Sequence, residues 1–254
     1  MDMSSSTTQY GFFFDQSRCD NCMTCSVACK GWLQIGPGPA KPLRMLEWET
    51  GTFTDVRMHY MFATCYHCAN PACVQAANGA MFKEPKYGAV LIDPTQVMNP
   101  SLRDAAAACP YGAIVFDSDG PSATASKCNM CVDKLEVGGK PICVMSCHMR
   151  ALDFDKLDTL KSKYGSLATL EGFPDPSTTT PSIVFKAMDQ KTSVIPYDAT
   201  RALTLLADRG SSLPKPFNQP SDVTSPTATI GRSKPVFKPN GSADLLENSR
   251  TDEG

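Results

Sequence analysis

Twelve cysteines, all between Cys19 and Cys147, dominate this 254-residue sequence. So many thiols in one region must form disulfides or bind metal. A disulfide framework is typical of small secreted domains, and this chain is larger than those. Its N-terminus also has no basic region ahead of an apolar one, so we expect no signal peptide. The spacing of the cysteines must therefore decide between zinc and iron–sulfur clusters.

The first cysteine run, from Cys19 to Cys29, has the spacing CxxCxxCxxxC. Three thiolates spaced in this way can bind three iron corners of one cubane cluster, while the fourth cysteine faces a different cluster. This spacing is typical of bacterial ferredoxins with two clusters. Zinc sites prefer pairs of CxxC that close a tetrahedron, which the evenly spaced extra cysteine does not suit.

The last cysteine run has the same arrangement of ligands as the first, with 11 residues inserted between Cys131 and Cys143. A CxxC with a distant CxxxC could also be a zinc site. Beside the first run, we expect the two runs to exchange their fourth ligands. The exchange predicts one cluster bound by Cys19, Cys22, Cys25 and Cys147, and a second bound by Cys29, Cys128, Cys131 and Cys143.

A third set of ligands comes from an incomplete run. Cys65, Cys68 and Cys73 lack a fourth cysteine, which would stand at Ala77, and Cys109 in ACPYGA lacks the three that should precede it. By the exchange rule, the four absent ligands belong to one cluster. Their positions are Ala77, Asn99, Leu102 and Ala105.

We therefore predict three [4Fe-4S] clusters, the third bound by Cys65, Cys68, Cys73 and Cys109. A three-ligand [3Fe-4S] centre with Cys109 free is the alternative.

The fold class expected from this pattern is α+β, with tandem, pseudo-repeated ferredoxin-like modules, each for two [4Fe-4S] clusters. Cysteine runs alternate with short apolar stretches that predict strands. These stretches are YGFFFD (10–15), GAVLID (88–93), GAIVF (112–116) and RALDF (150–154). We expect an iron–sulfur domain over 1–160, with a second module (61–120) inserted in the first. Residues 161–254 should form a helix and a Pro/Ser/Thr-rich extended arm that docks on a partner.

The composition argues against several other partners and locations. The net charge is −2 and no run of Lys or Arg occurs, so we expect no nucleic acid to bind. No stretch approaches the roughly 18 apolar residues of a membrane span, so we expect no direct membrane insertion. We expect a cytoplasmic protein, or one exported with a signal-bearing partner.

A family resemblance rests on five stretches that cover most of residues 7–160. They are TTQYGFFFDQSRCDNCMTCSVACK, CYHCANPAC, ACPYGA, KCNMCVDKLEVGGKPICVMSC and RALDFDKL. Together they resemble the four-cluster iron–sulfur subunits of molybdopterin oxidoreductases of the dimethyl sulfoxide reductase type. The resemblance implies a non-catalytic electron-transfer subunit. Its partner would be a large subunit that carries molybdenum in a bis-molybdopterin guanine dinucleotide cofactor.

The resemblance also implies an order for the clusters. In that family the cluster bound by Cys19, Cys22 and Cys25 lies nearest the catalytic subunit, and the cluster absent here lies furthest away, beside the membrane anchor. The electron path would therefore end at the cluster of Cys65, where a soluble donor or acceptor could exchange electrons.

The sequence departs from the family pattern, with ANGA in place of a cysteine-containing turn. In these departures it is similar to the small subunit of pyrogallol–phloroglucinol transhydroxylase and its relatives. That comparison leaves open a partner acting on hydroxylated aromatics, with clusters that are mainly structural or poising. The carboxy-terminal sandwich of that subunit is not apparent here, so no substrate is implied. A free ferredoxin-like carrier is a further alternative, which the size and near-neutral charge disfavour.

Few other residues suggest chemistry. Of the three histidines, His67 and His148 lie beside cysteines and could donate to a cluster sulfur, although ordinary packing is the simpler interpretation. His59 has no such neighbour. The cations flanking the last run are expected on the surface; they are Lys127, Lys134, Lys140 and Arg150. The aromatic residues of the insert between the first two runs are expected to pack in the core or an interface; they are Trp32, Trp48 and Phe53.

Overall fold

The computed structural model describes residues 8–52, 55–188, 198, 200–201, 204, 208 and 234–248. Within them short strands and helices are mixed along the sequence, as in an α+β fold. The strands are β1 (Tyr10–Asp15), β2 (Arg44–Thr52), β3 (Asp55–Ala63), β4 (Met81–Lys83), β5 (Val90–Ile92), β6 (Val115–Phe116), β7 (Ala125–Ser126), β8 (Leu152–Lys156) and β9 (Ile183–Lys186). The helices are α1 (Thr24–Trp32), α2 (Ala72–Ala76), α3 (Ser101–Ala108), α4 (Val132–Glu136), α5 (Ile142–Ser146), α6 (Leu157–Tyr164) and α7 (Ser242–Asn248).

Strand β1 is the centre of a three-stranded sheet with the order β8–β1–β9. It pairs antiparallel with β8 and parallel with β9. Its central residues, Phe12, Phe13 and Phe14, are apolar because both faces of the strand are covered. Phe12 and Phe14 pack in the main core, whereas Phe13 stacks on Tyr164 of α6 with ring centroids 3.6 Å apart. The strand predicted from YGFFFD therefore forms, and β9 belongs to its sheet although it lies beyond residue 160.

The insert between the first two cysteine runs contains a long antiparallel pair that the sequence pattern did not predict. β2 and β3 pair over nine residues each, from Arg44 opposite Ala63 to Thr52 opposite Asp55. Trp48 is 2% exposed and stacks on His59, so its expected packing role is confirmed. Trp32 is 43% exposed and is not in the core. Phe53 lies outside the described residues.

Two pairs of helices lie close to the cysteines. Helix α1 packs on α5, and α2 packs on α3. One large core contains residues from both pairs and joins them to the face of the sheet that bears Phe12 and Phe14. The cysteine loops are thus anchored to a single body.

The segment 234–248 returns to the cysteine region. Phe237 and Leu245 are buried in it, and Lys238 donates a hydrogen bond to the carbonyl of Ala107 at the end of α3. The buried Arg44 guanidinium donates to the carbonyls of both Gly112 and Phe237, at 3.0 and 3.1 Å. We call residues 234–248 the C-terminal cover, since they lie over the loop that follows Cys109.

Most of the predicted extended arm falls on residues outside the described ranges, so its docking on a partner stays a prediction. Over the described ranges, none of the helices has both the length and the apolar character needed to cross a bilayer.

The contact between Gly112 and the C-terminal cover leaves no room for a side chain. Gly112 has φ +55°, and a Cβ there would lie 1.9 Å from the carbonyl oxygen of Phe237. Gly79 has φ +85° with open space around it. We expect Gly112→Ala to destabilise the protein by about 3 kcal/mol, from backbone strain and the clash together, and Gly79→Ala by about 1 kcal/mol, from strain alone.

The measurement is anaerobic thermal unfolding of both variants at one scan rate. Equal decreases in Tm would show that the C-terminal cover does not pack tightly against the loop that carries Gly112.

Candidate metal centres

The structure gathers the twelve cysteines into three groups of four neighbouring thiols, with no disulfide among them. Group 1 is Cys19, Cys22, Cys25 and Cys147, which line one small cavity. Group 2 is Cys29, Cys128, Cys131 and Cys143. Group 3 is Cys65, Cys68, Cys73 and Cys109. Each group brings together the residues that the exchange rule placed in one ligand set. The binding of one cluster by each group stays a prediction.

Thiols within a group are close enough to affect one another's protonation. Burial, and then the charges of Cys19 and Cys147, raise the pKa of Cys25 to about 12. Burial, and then Cys65 and Cys109, raise the pKa of Cys73 to about 12. A thiolate is therefore costly in these sites unless a cation compensates it, which iron ligation provides.

The three groups form a row with group 2 in the middle. Cys25 of group 1 is among the neighbours that raise the pKa of Cys29 in group 2, after burial and the thiols of group 2 itself. Burial, and then the charge of Cys65 in group 3, raise the pKa of Cys128 in group 2 to about 12. Each pair of adjacent groups therefore has thiols near their shared boundary.

The spacing of the thiols favours a cluster over a single ion. A tetrahedral zinc site holds its sulfurs about 3.8 Å apart, from zinc–sulfur bonds of about 2.3 Å, whereas sulfurs that bind separate corners of a cubane lie further apart. Among the described residues, which include every cysteine, the close-set group of possible ligands for one ion is Asp20, Cys22 and His148, and none consists of three thiols.

The backbone at each cysteine run adopts a conformation that residues other than glycine rarely take. Asn21, Met23, His67, Met130 and Cys131 all have φ between 45° and 61°. Such left-handed residues turn successive N–H groups towards one point and create a concavity that binds anions. Their strain, about 1–2 kcal/mol per residue, needs compensation from what the loops hold.

Backbone N–H groups point at sulfur in every group. The N–H of Met130 donates to the Cys128 sulfur at 3.3 Å. Asn21 provides a backbone donor to Cys19, and Val74 provides one to Cys73. Donors of this kind stabilise an anionic cluster and tune its potential.

Group 1 is the exposed end of the row. Cys22 lies at the surface, beside His148 and Asp20. His148 places Nδ1 3.7 Å from the Cys22 sulfur and Nε2 3.4 Å from a carboxylate oxygen of Asp20. Apolar side chains close in sequence to the group 1 cysteines are also exposed, among them Val27 (66%) and Met145 (54%).

Group 3 is enclosed. All four of its thiols are buried, and the hydroxyl of Thr179 donates to Cys68. Burial lowers the pKa of Arg44 to about 10, while Tyr66 and Cys109 act to raise it. Nothing in the sequence indicated that Arg44 would be buried beside a cysteine group, since its neighbours along the sequence are not metal ligands.

The four positions that lack cysteines do not form an empty site. Ala77, Leu102 and Ala105 are fully buried in the contact between α2 and α3. Asn99 accepts hydrogen bonds from the N–H and hydroxyl groups of Ser101 at the start of α3. The Ser101 hydroxyl also donates to the carbonyl of Ala77. Apolar packing occupies the place where a fourth cluster would otherwise be bound.

The flanking cations differ from their expected exposure in one case. Lys127 is only 7% exposed, so the prediction of a surface position was wrong for it. Its ammonium donates to the carbonyls of Val90 and Cys128. Lys134 lies over the Trp32 ring, Lys140 pairs with Asp153, and Arg150 is exposed. Sequence alone did not reveal Lys127 because its cation is held in part by a carbonyl that is distant in the sequence.

The histidines also take different places. His67 is fully buried, with Nε2 3.5 Å from the Cys128 sulfur, whereas His148 lies at the exposed edge of group 1. His59 contacts Thr50 and Trp48.

Comparison with known proteins indicates the class to which this chain belongs. A family model described as a 4Fe-4S dicluster domain matches residues 56–157. The protein is therefore an iron–sulfur protein of the electron-transfer class that carries 4Fe-4S clusters. It is 39% identical to the anaerobic dimethyl sulfoxide reductase B subunit of Escherichia coli K12 over 189 residues, covering 71% of this sequence and 89% of that protein.

Two other relatives match over nearly the same length. The probable anaerobic dimethyl sulfoxide reductase subunit YnfG of Escherichia coli K12 is 37% identical, with 71% of this sequence and 89% of that protein covered. The corresponding B subunit of Haemophilus influenzae is 36% identical, with 70% and 89% covered. The protein belongs to the family of anaerobic dimethyl sulfoxide reductase B subunits.

Cys109 distinguishes the two predictions for group 3. If it is the fourth ligand, Cys109→Ser should remove between one and four irons per molecule, as the cluster is lost or becomes a three-iron centre. Ala77→Cys is the matched control, and we expect it to add no iron, because Ala77 faces packed side chains. Iron analysis of both purified proteins is the measurement. Unchanged iron in Cys109→Ser would favour a [3Fe-4S] centre with Cys109 free.

The packing at the place of the absent cluster can be tested separately. Leu102 is fully buried, so we expect Leu102→Ala to cost about 3 kcal/mol and to leave the iron content unchanged. Leu167 is 43% exposed, and Leu167→Ala should cost less than about 0.5 kcal/mol. Anaerobic thermal unfolding with iron analysis measures both. A loss of iron in Leu102→Ala alone would contradict this view of the site.

Proposed function

We propose that this protein is the electron-transfer subunit of a molybdenum oxidoreductase and that it binds three [4Fe-4S] clusters, one in each thiol group. The row of three four-thiol groups carries the proposal. Bound clusters would accept and release single electrons, and the protein's own residues would fix their order, spacing and surroundings. The partner would be a large catalytic subunit with molybdenum in a bis-molybdopterin guanine dinucleotide cofactor.

The exposed edge of group 1 supports its position at the catalytic subunit. Cys22 is at the surface, and three apolar side chains close in sequence to the group 1 cysteines are exposed. They are Val27, Met145 and Met149, of which Met149 lines the same cavity as Cys22. A subunit interface would bury such side chains. Electrons would cross the interface at group 1 and pass through group 2 to group 3.

The enclosed surroundings of group 3 support its position as the end of the path. Apolar packing between α2 and α3 fills the place of a fourth cluster, and the C-terminal cover lies over the loop that follows Cys109. Exit to a membrane quinone by that route would be absent, and a soluble donor or acceptor would exchange electrons with the complex instead.

The helix pairs favour tandem ferredoxin-like modules. Helices α1 and α5, together with β1 and β8, would form one module for groups 1 and 2. Helices α2 and α3 would belong to the second module, inserted within the first over 61–120. The division at residue 160 and the cytoplasmic location stay predictions.

The closed end favours one alternative partner. A catalytic subunit whose reaction has no net electron demand, as in transhydroxylases and dehydroxylases acting on hydroxylated aromatics, would tolerate a path without an exit. The clusters would then be mainly structural or poising. A free ferredoxin-like carrier is less consistent with the exposed apolar side chains Val27, Met145 and Met149.

The deciding measurement is the iron and sulfide content of the purified full-length protein, for which we expect about twelve of each. About eight or sixteen irons would contradict the ligand assignment. The protein should also copurify with a molybdenum-containing subunit from its source. A lone, fully functional 27.4 kDa protein would instead identify a free carrier.

The role of the clusters within the complex needs a second experiment. Steady-state assays with an external electron donor, beside EPR of the reduced complex, should show that the clusters are reduced and reoxidised during turnover. Turnover that continues while the clusters keep one oxidation state would favour the transhydroxylase-like alternative.

A further inference from the structure

A buried hydrogen-bonded link joins group 3 to group 2. His67 lies in the loop that carries Cys65 and Cys68 of group 3, yet its ring reaches the sulfur of Cys128 in group 2. The Nε2–Sγ distance is 3.5 Å, and the side chain is fully buried. The sequence placed His67 only beside group 3.

The hydrogen-bond partners of the ring fix where its proton lies. The backbone N–H of Val90 donates to Nδ1 at 2.9 Å, so Nδ1 must present a lone pair. The ring is therefore neutral with its proton on Nε2, and that proton faces the Cys128 sulfur.

The surroundings hold this ring in place. The carbonyl of His67 accepts hydrogen bonds from the Ser182 hydroxyl at 3.0 Å and from the Gln9 amide at 3.3 Å. The Lys127 ammonium donates to the carbonyls of both Val90 and Cys128. It therefore links the strand whose N–H donates to Nδ1 with the loop that carries Cys128. A ring fixed in this way keeps its donor on one sulfur without further reorganisation.

A donor on a ligand sulfur withdraws electron density from the cluster and favours its reduced form. His67 would have this effect on the cluster of group 2, although its main chain lies in the loop of group 3. The covalent path from Cys68 through the adjacent His67, followed by one hydrogen bond to Cys128, also joins the two sites.

We propose that His67 is a positioning residue for electron transfer, which donates Nε2–H to the Cys128 ligand, raises the reduction potential of the group 2 cluster and connects it to the group 3 cluster. The proposal rests on the proposed function above. With clusters bound, single electrons would pass between the two groups, and His67 would keep its proton on Nε2 throughout.

The test uses the full-length protein with its clusters and a redox titration followed by EPR. His67→Phe keeps a ring but removes the donor, and we expect the midpoint potential of the group 2 cluster to fall, with that of group 1 unchanged. His67→Gln can still present an N–H near the sulfur, and it should restore most of the shift. His59→Phe is the matched control, since His59 is also buried but contacts only Trp48 and Thr50 among its described ring and hydrogen-bond partners.

The assignment of signals and the failure of folding are handled separately. Cys→Ser variants in each group assign the EPR signals, and iron analysis checks every variant. With about twelve irons present, an unshifted group 2 potential in His67→Phe would overturn the inference while leaving the proposed function intact. Fewer irons in the unmodified protein would instead count against the proposed function.

A second measurement keeps the test possible if His67→Phe does not bind its clusters, because it uses proteins that retain a donor at residue 67. Pulsed EPR of the reduced protein with ¹⁵N-imidazole-labelled histidine should detect a coupling to the group 2 cluster. The His148→Ala background removes the other histidine near a thiol. We expect the coupling to persist in that background and to vanish in His148→Ala/His67→Gln. Its absence from the His148→Ala protein would overturn the inference.

Discussion

The meeting of cysteines from distant runs in one group is the constraint on which this structure depends. Cys147 lies beside the first three cysteines of the sequence, and Cys29 lies beside three cysteines of the last run. Cys109 completes the group begun by Cys65 in the same way. Each group therefore brings together segments that are far apart in sequence, so metal binding and folding are coupled. The helix pairs α1 with α5 and α2 with α3 bring the members of each group to one place.

The energetic balance at these sites explains the unusual backbone. Left-handed residues such as Met23 and Met130 are costly, and buried thiolates are costlier still without a cation. Iron would compensate the charge of the buried thiolates. The left-handed backbone, in turn, directs N–H groups towards the sulfurs. A protein prepared without iron would keep both costs and lose the compensation, which is why we expect the clusters to contribute to folding as well as to electron transfer.

Much of the site could be predicted because cysteine spacing reports local geometry directly. The three sets of four followed from counting, and YGFFFD predicted β1 because an apolar run of that length suits a strand covered on both faces. The β2–β3 pair was missed because its sequence mixes charged, aromatic and methionine residues without a clear alternation. The burial of Lys127 and the particular sulfur that His67 contacts could not be predicted, for a different reason. Their partners, Val90 and Cys128, are set by tertiary contacts that leave no periodic signal.

The C-terminal cover has a consequence for biosynthesis. Phe237 meets Arg44 across 193 residues of sequence, and the loop after Cys109 cannot be closed until that late segment has been made. The thiols of group 3 therefore leave the ribosome long before the residues that lie over the loop after Cys109. Iron delivered during this interval would reach group 3 before that loop is covered. Translation itself would set the order of loading and closure.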